Sequence, residues 1–341
     1  MPSIPSFLKS KSKPPQPITT YYLSSPSSSS STYDTLLRPI PPPNSPQTIP
    51  RDTLIFSFTH PPLSNSQATS FFLECIPDPI GFLYHSSSFI SKNLILNEKP
   101  EEIEWRHQLI TLELENKDGL AATSGGKISI SLKWVEEILN QVKKGNKTYE
   151  NSIKEFKGVL LHELVHTIQH DGFGSTPGWL IESIADYIRL QANLNPDHWR
   201  KSGSGNKEKG YEDGYDIGAK FLQWLIGIEE PEEKSQRDQL NVIQAIPIQN
   251  TLSRNKTTTT TTTTDQISQP QPTQYPLSST EEEKLPAIPP NKPYRPGPFP
   301  DLVKLIDSRL NYEKWHDNWW DELTGLTLDE LWREYLRYYG R

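Results

Sequence analysis

SIKEFKGVLLHELVHTIQH, residues 152–170, carries the strongest structural signal in the sequence. Its apolar residues recur every three to four positions, which predicts a helix with a broad buried face. Within this segment His162 and His166 are four positions apart, so they lie on one face of the helix, one turn apart. Two imidazoles in this arrangement can both reach one zinc ion at about 2.0–2.1 Å. Glu163 lies at the edge of that face, where a carboxylate can hold a water molecule and take its proton.

The alternative is an ordinary buried helix whose polar groups are satisfied by hydrogen bonds. From average residue frequencies, a chain of this length carries the pattern HExxH by chance on the order of 1% of the time. Burying two imidazoles and a carboxylate without a metal would be costly. The segment around HELVH is otherwise apolar, so the sequence predicts a metal site on a central helix.

A catalytic zinc ion needs a third protein ligand and one open position. His170 continues the spacing of the two histidines, but the helix is predicted to end near it, at DGFG (171–174). Metzincins carry a ligand six residues past the second histidine, and Gly172 at that position excludes this class. Glu182 lies on the next predicted helix, and we favour it as the third ligand.

Asp186 follows Glu182 by one helical turn, on the same face. This spacing suits a carboxylate that orients a ligating histidine through a hydrogen bond. The alternative is that both carboxylates lie on a solvated helix face. The apolar neighbours argue against it, because they leave little of this helix polar: Leu180, Ile181, Ile184, Ala185 and Ile188.

The order of the segments predicts an α+β domain. Strand-like segments come first, at 53–58, 108–115 and 127–131, and helical periodicity begins at Leu132. Strands followed by helices are typical of this class. The last predicted helix begins at a capping box, Thr327-Leu328-Asp329-Glu330.

Two stretches are too poor in apolar residues to fold. Residues 1–49 are rich in Pro and Ser, and residues 231–298 contain eight consecutive Thr and many Pro. Such segments cannot offset the entropy lost on ordering. We therefore predict one domain built from 50–230 and 299–341, with a disordered tail over 1–49 and a disordered insertion over 231–298. Loop-closure cost rises only slowly with length, so a domain tolerates this insertion.

Charge and composition exclude several functional classes. Asp and Glu number 42 against 35 Lys and Arg, a net charge of −7 that does not favour binding to nucleic acid. The single cysteine, Cys75, excludes an intramolecular disulfide and a Cys-rich zinc module. No apolar run is long enough to span a membrane, and the first residues lack the apolar core of a secretory signal. We expect an intracellular, cytoplasmic protein without nucleic-acid or membrane partners.

Several segments resemble, in the same order, the basic secretory protein family, a group of zincin-type peptidases. The resemblance covers roughly 105–230 and 300–341, whereas 50–104 match only vaguely. It implies a zincin fold, in which a mixed sheet has an edge strand above the HExxH helix and a helical part follows. It also implies Glu163 as catalytic base and one Zn²⁺ per chain as cofactor. Because this chain is acidic and lacks a recognisable signal, "basic" and "secretory" are not expected to apply. The segments are HELVHTIQHDG (162–172), PGWLIESIADYIRL (177–190), DGLAATSGGKISISLKWV (118–135), GYDIGAKFLQWL (214–225) and LDELWREYLRYYG (328–340).

Two of these segments are also similar to gluzincin aminopeptidases. WLIESIA (179–185) is similar to their third-ligand helix, and YDIGA (215–219) is similar to a segment that carries a catalytic tyrosine. This similarity supports Glu182 as the third ligand. It also implies Tyr215 as the phenol that stabilises the tetrahedral oxyanion, although a core aromatic residue is an equal alternative.

The zincin resemblance also implies a role for KISIS. Its residues are expected to form the edge strand that pairs with an extended substrate, and the alternative is an ordinary internal strand. The preceding Ser124-Gly125-Gly126 allows close backbone approach, which favours the substrate strand. A tryptophan cluster near the carboxyl end is expected to pack in the core. The proposed edge strand consists of Lys127, Ile128, Ser129, Ile130 and Ser131, and the cluster of Trp315, Trp319 and Trp320.

Together these observations predict a zinc-dependent peptidase that acts on peptides or proteins. The alternative is a non-catalytic interaction protein with a zincin-like fold and a structural metal site, whose Pro-rich segments recruit polyproline-binding partners. Glu163 discriminates between them, because a structural site has no use for a base beside an open metal position.

Overall fold

A computed structural model describes residues 18–24, 37–40, 54–96, 105–205, 209–228 and 295–341. These residues form one six-stranded sheet and nine α-helices, an α+β arrangement as expected from the sequence. The strands are β1 (Ile18–Ser24), β2 (Leu37–Ile40), β3 (Ile55–His60), β4 (Leu109–Glu115), β5 (Ala121–Ser124) and β6 (Lys127–Ser131). The helices are α1 (Gln67–Cys75), α2 (Pro79–Leu94), α3 (Leu132–Lys143), α4 (Tyr149–Ile168), α5 (Gly178–Gln191), α6 (Tyr215–Leu225), α7 (Leu302–Leu310), α8 (Trp319–Thr324) and α9 (Leu328–Tyr338).

The sheet is mixed, with the strand order β2-β1-β3-β4-β6-β5. β3, β4 and β6 run parallel to one another, and β1, β2 and β5 pair antiparallel to their neighbours. Alternate side chains of β4 are buried, which is what the period of two in its sequence predicts. The strand order places β2 at one edge of the described sheet and β5 at the other.

The prediction that KISIS forms the edge strand is wrong. Lys127, Ile128, Ser129, Ile130 and Ser131 make up β6, which pairs with β4 on one side and with β5 on the other. Gly125 has φ 59° and forms with Gly126 the turn of a hairpin that lays β5 along β6. A Cβ at Gly126 would lie 2.3 Å from the Leu109 carbonyl oxygen, so the turn requires glycine there. The two glycines mark a chain reversal and not a strand beside a substrate.

Two strands lie within residues 1–49, which the sequence analysis leaves outside the fold. β1 pairs with β3 over Ile18–Leu23, and β2 pairs with β1. The β1 sequence, ITTYYLS, is rich in β-branched and aromatic residues, but the surrounding Pro and Ser residues hide this in the average composition. The predicted disorder of the rest of this tail lies outside the described residues.

Helix α4 runs through the centre of the domain. Its first turn is capped by Thr148, whose side chain accepts a hydrogen bond from the Asn151 amide. Leu160, Leu161, Leu164 and Val165 are fully buried, so α4 packs against neighbours on several sides. Among the described residues, no helix is both long enough and apolar enough to cross a bilayer.

The last residues of the predicted insertion, 295–298, are described and precede a segment that packs on the same core, whereas 231–294 lie outside the described residues. The Phe299 amide donates to the Leu225 carbonyl at 2.9 Å, and the Arg295 guanidinium lies over the rings of Trp224 and Tyr338. Residues 228 and 295, which border the undescribed residues 229–294, are thus anchored to the same end of α6. Trp319 and Trp320 are buried and Trp315 is half-buried, in agreement with packing in the core.

Candidate metal centre

Two consecutive helices supply the candidate ligands. His162, Glu163 and His166 lie on α4, whereas Glu182 and Asp186 lie on α5. The loop between these helices is short, so α5 folds back against the last turns of α4 and brings Glu182 to the two histidines.

The three predicted ligands converge on one point. His162, His166 and Glu182 each offer one ligand atom, and these atoms all lie within 4.8 Å of one another. The two Nε2 atoms are 3.1 Å apart, and Glu182 Oε2 lies 3.1 Å from His162 Nε2 and 3.7 Å from His166 Nε2. Nitrogens at about 2.0–2.1 Å from a tetrahedral zinc ion would be about 3.3 Å apart. The residues therefore fit a zinc ion bound by two histidines and one carboxylate.

The electrostatics of this group favour a positive charge at its centre. Burial opposes the charged form of His162, but hydrogen bonds to Asp186 and Glu182 outweigh it and raise the pKa of His162 to about 9. Burial also opposes ionisation of Glu182, but hydrogen bonds to His162 and His166 hold its pKa well below the usual range. A proton and a metal ion compete for these same atoms.

Asp186 lies behind His162. Its Oδ1 is 2.7 Å from His162 Nδ1, and the residue is only 2% exposed. An Nδ1–H that donates to this carboxylate leaves the Nε2 lone pair directed at the other ligands. Arg189, one turn further along α5, places Nη1 3.8 Å from the same Oδ1 and balances its charge. The structure thus places Asp186 where its spacing from Glu182 predicts it, in hydrogen-bond contact with a candidate ligand, His162.

Gln169 contacts His166 and has no role in the sequence analysis beyond its place in the quoted motif. Its side-chain Nε2 lies 2.9 Å from His166 Nδ1, and its buried Oε1 has no hydrogen-bond partner within the described parts of the chain. A half-turn of the amide would let Oε1 accept a hydrogen bond from His166 Nδ1–H, at the cost of the hydrogen bond that Nε2 donates to the Ile181 carbonyl at 3.3 Å. His166 Nε2 would then be free to bind a metal ion, as His162 Nε2 is.

Thr123 contacts Glu163, and the sequence analysis misses it. The Thr123 hydroxyl donates to Glu163 Oε2 at 2.7 Å and lies 3.0 Å from the Glu163 carbonyl oxygen. Thr123 belongs to β5, so this contact joins the edge of the sheet to α4. No local pattern in the sequence links two residues that are 40 positions apart.

Tyr215 is the first residue of α6 and is 59% exposed. This exposure rules out the core position that was the alternative to a catalytic role. Within the described residues, no hydrogen bond or ring contact joins Tyr215 to the three candidate ligands. The adjacent Asp216 is held by Arg200, whose Nε donates to it at 2.9 Å. The catalytic role of Tyr215 stays a prediction.

His170, the other candidate for the third ligand, points elsewhere. Its Nδ1 lies 2.9 Å from Asp307 Oδ2, and its backbone amide donates to Asp307 Oδ1 at 2.9 Å. Asp307 is a buried residue of α7. His170 therefore joins the end of α4 to the carboxyl-terminal helices, and Glu182 takes the third position in the group.

A comparison with protein families supports this site. A family model described as "Peptidase of plants and bacteria" matches residues 54–233, a little over half of the chain. The match includes the whole candidate metal centre, and it extends upstream through α1 and α2, where the quoted motifs give little support. No curated protein and no solved structure matches the chain. The chain thus belongs to the basic secretory protein family, the peptidases of plants and bacteria.

Proposed function

We propose that this protein is a zinc-dependent peptidase. The observation that carries the proposal is the convergence of His162, His166 and Glu182 beside Glu163. Membership of a peptidase family supports it. When bound there, zinc would supply a Lewis acid that polarises the peptide carbonyl and makes water more acidic.

Glu163 is the proposed general base. Its carboxylate is buried, with 7% of the residue exposed, and it lies next to a ligand on the same helix. It takes a proton from the attacking water and later passes it to the leaving amine. Tyr215, which is exposed at the start of α6, is proposed to donate a hydrogen bond to the oxyanion.

The proposed substrate is an extended peptide that adds to the edge of β5. The sheet edge here is free among the described residues, and unpaired backbone groups of an edge strand can pair with another chain. The Thr123 contact with Glu163 brings this edge next to the proposed base. Strand addition at β5 would therefore deliver a peptide bond to the metal centre.

Glu163→Gln tests the proposal most directly. Gln has nearly the same shape and helix propensity, so zinc content and fold should be unchanged. It cannot accept the proton, so kcat should fall by at least about 100-fold, the lower end for general base catalysis. The measurement is cleavage of a peptide library by the zinc-loaded protein, with metal analysis of each sample. Glu137→Gln, at an exposed position of α3, is the matched control.

Two outcomes would contradict the proposal. Near-normal turnover by Glu163→Gln would reject this residue as the base. A wild-type protein that binds zinc and cleaves no peptide in the library would favour the alternative, an interaction protein with a structural metal site.

A further inference from the structure

Along β5, successive residues direct their backbone N–H and C=O groups alternately toward β6 and toward the free edge of the sheet. The Ser131 amide donates to the Leu120 carbonyl at 2.9 Å, and in the register of the pair Ala121 lies opposite Ile130. In an antiparallel pair, residues that exchange hydrogen bonds alternate with residues that do not. Ala122 and Ser124 therefore bond toward β6. Ala121 and Thr123 direct their backbone N–H and C=O groups toward the free edge.

The side chain of Thr123 projects from the face of the sheet, where its hydroxyl contacts Glu163 on α4. A hydroxyl has one hydrogen to donate, and Glu163 Oε2 at 2.7 Å is closer and more negative than the Glu163 carbonyl oxygen at 3.0 Å. In the described part of the chain, this is the hydrogen bond that holds the Glu163 carboxylate. It fixes Oε2 and leaves Oε1 to meet a water molecule.

We propose that Thr123 is a positioning residue that couples peptide docking to the general base. Its backbone would pair with the substrate strand while its hydroxyl orients the carboxylate of Glu163. A peptide that docks on β5 would fix the backbone of residue 123, and the base would then be held most firmly when a substrate is present. The proposal rests on the proposed peptidase activity.

Two variants of the full chain test this role through kinetics. Thr123→Val keeps the shape and the strand propensity but removes the hydroxyl, and Thr123→Ser keeps the hydroxyl. For Thr123→Val we expect kcat to fall roughly tenfold or more, the effect of losing one hydrogen bond to a charged group. KM should change by less than about twofold, because the backbone that binds the peptide is unaltered. Thr123→Ser should recover most of kcat.

Thr111→Val is the matched control. Thr111 lies on β4, which β6 separates from β5, and its hydroxyl accepts a hydrogen bond from Ser57 Oγ at 2.8 Å. This variant loses the same group from the same sheet but does not contact Glu163, so kcat should be unchanged. Zinc content is measured for all variants and should equal that of the wild type.

A structural readout keeps the test independent of activity. Crystal structures of zinc-loaded wild type and Thr123→Val should show the Glu163 carboxylate fixed in the first and displaced or in two positions in the second. An unmoved Glu163, an unchanged kcat in Thr123→Val, or an equal loss in Thr123→Ser would overturn the proposal. A wild type that cleaves nothing would overturn the peptidase function, and the crystal comparison would still decide whether Thr123 positions Glu163. If Thr123→Val does not fold, Thr123→Ala replaces it in both measurements.

Discussion

His162 and His170 lie on the same stretch of chain, and each pairs through Nδ1 with a buried aspartate, yet they belong to different parts of the molecule. His162 meets Asp186 at 2.7 Å and directs its Nε2 at His166 and Glu182. His170 meets Asp307 at 2.9 Å and lies outside the ligand group. The same pair of side chains thus orients a ligand in one place and joins two segments of the fold in the other. The difference is that other candidate ligands, His166 and Glu182, surround the second ring nitrogen of His162, whereas His170 is not part of this group.

Replacing each histidine by alanine should separate the two roles most clearly. His162→Ala removes one of three ligands, and we expect loss of the roughly one zinc ion per chain that the wild type should carry. His170→Ala should retain zinc, because its contact is with α7. Metal analysis after dialysis measures both, and His166→Ala serves as a positive control. Zinc loss from His170→Ala with the fold intact would contradict the distinction.

Replacing the two aspartates should also separate the metal centre from the structural contact, with smaller effects than replacing the histidines. Asp186→Asn weakens the partner of a ligand, so we expect zinc affinity to fall by roughly 10–100-fold. Asp307→Asn should leave zinc affinity unchanged and lower the free energy of unfolding by about 1.5–3 kcal/mol, the range for a lost hydrogen bond to a charged group. Competition with a zinc chelator and denaturant unfolding are the two measurements. Equal effects of both variants on affinity would show that the two pairs are not distinct.

How far these pairs could be predicted depends on how local their signals are. The i, i+4 spacing of His162 and His166 and the same spacing of Glu182 and Asp186 are helical patterns, readable from a short segment. The position of β5 at the sheet edge depends on strand pairing across the sheet, and the His170 contact joins residues 137 positions apart. Contacts between residues that are far apart in the sequence produce no periodic pattern, so they could not be predicted from it.

Elements outside the site also show that local patterns can be predicted from the sequence and that interrupted patterns cannot. No helix is predicted from the sequence over α2, whose buried face includes Ser86 and Ser87. The Ser87 hydroxyl donates to the Tyr84 carbonyl of its own helix at 2.8 Å, so a polar residue is buried at little cost and the apolar period is interrupted. The capping box of Thr327 and Glu330, which is set by four adjacent residues, is predicted and present.

The pH should change the zinc affinity of the metal centre through the protonation of His162. Its pKa in the metal-free protein is raised to about 9, so between pH 6.5 and 9 the free site holds a proton that a metal ion must displace. Apparent zinc affinity should therefore rise with pH, by up to about tenfold per unit, and level off near pH 9. The metal-free protein should show the opposite trend, because a histidine with a raised pKa stabilises the fold below pH 6.5 and loses this contribution as pH rises through 9. Calorimetry in buffers of different ionisation enthalpy would count the released proton. A zinc affinity that does not vary between pH 6.5 and 9 would contradict a raised pKa of His162.

The smallest effect is expected from removing most of residues 229–294. Both aspartate pairs should survive, because His170 and Asp307 already connect the segments on either side of this region. Arg295 packs on Trp224 and Tyr338, and the Phe299 amide bonds to the Leu225 carbonyl, so a deletion must spare the chain from 295 onward. Replacing 233–291 by a short Gly/Ser bridge should leave zinc content unchanged. The free energy of unfolding should rise by no more than about 1.5 kcal/mol, because loop-closure entropy varies only with the logarithm of length. Denaturant unfolding and metal analysis of the shortened protein are the measurements.

A matched variant that also removes Arg295 should be less stable, since it loses the contacts with both rings. Loss of soluble, zinc-loaded protein from the first deletion alone would show that the removed residues pack on the domain, and the His170–Asp307 pair would then not be sufficient to join the segments on either side.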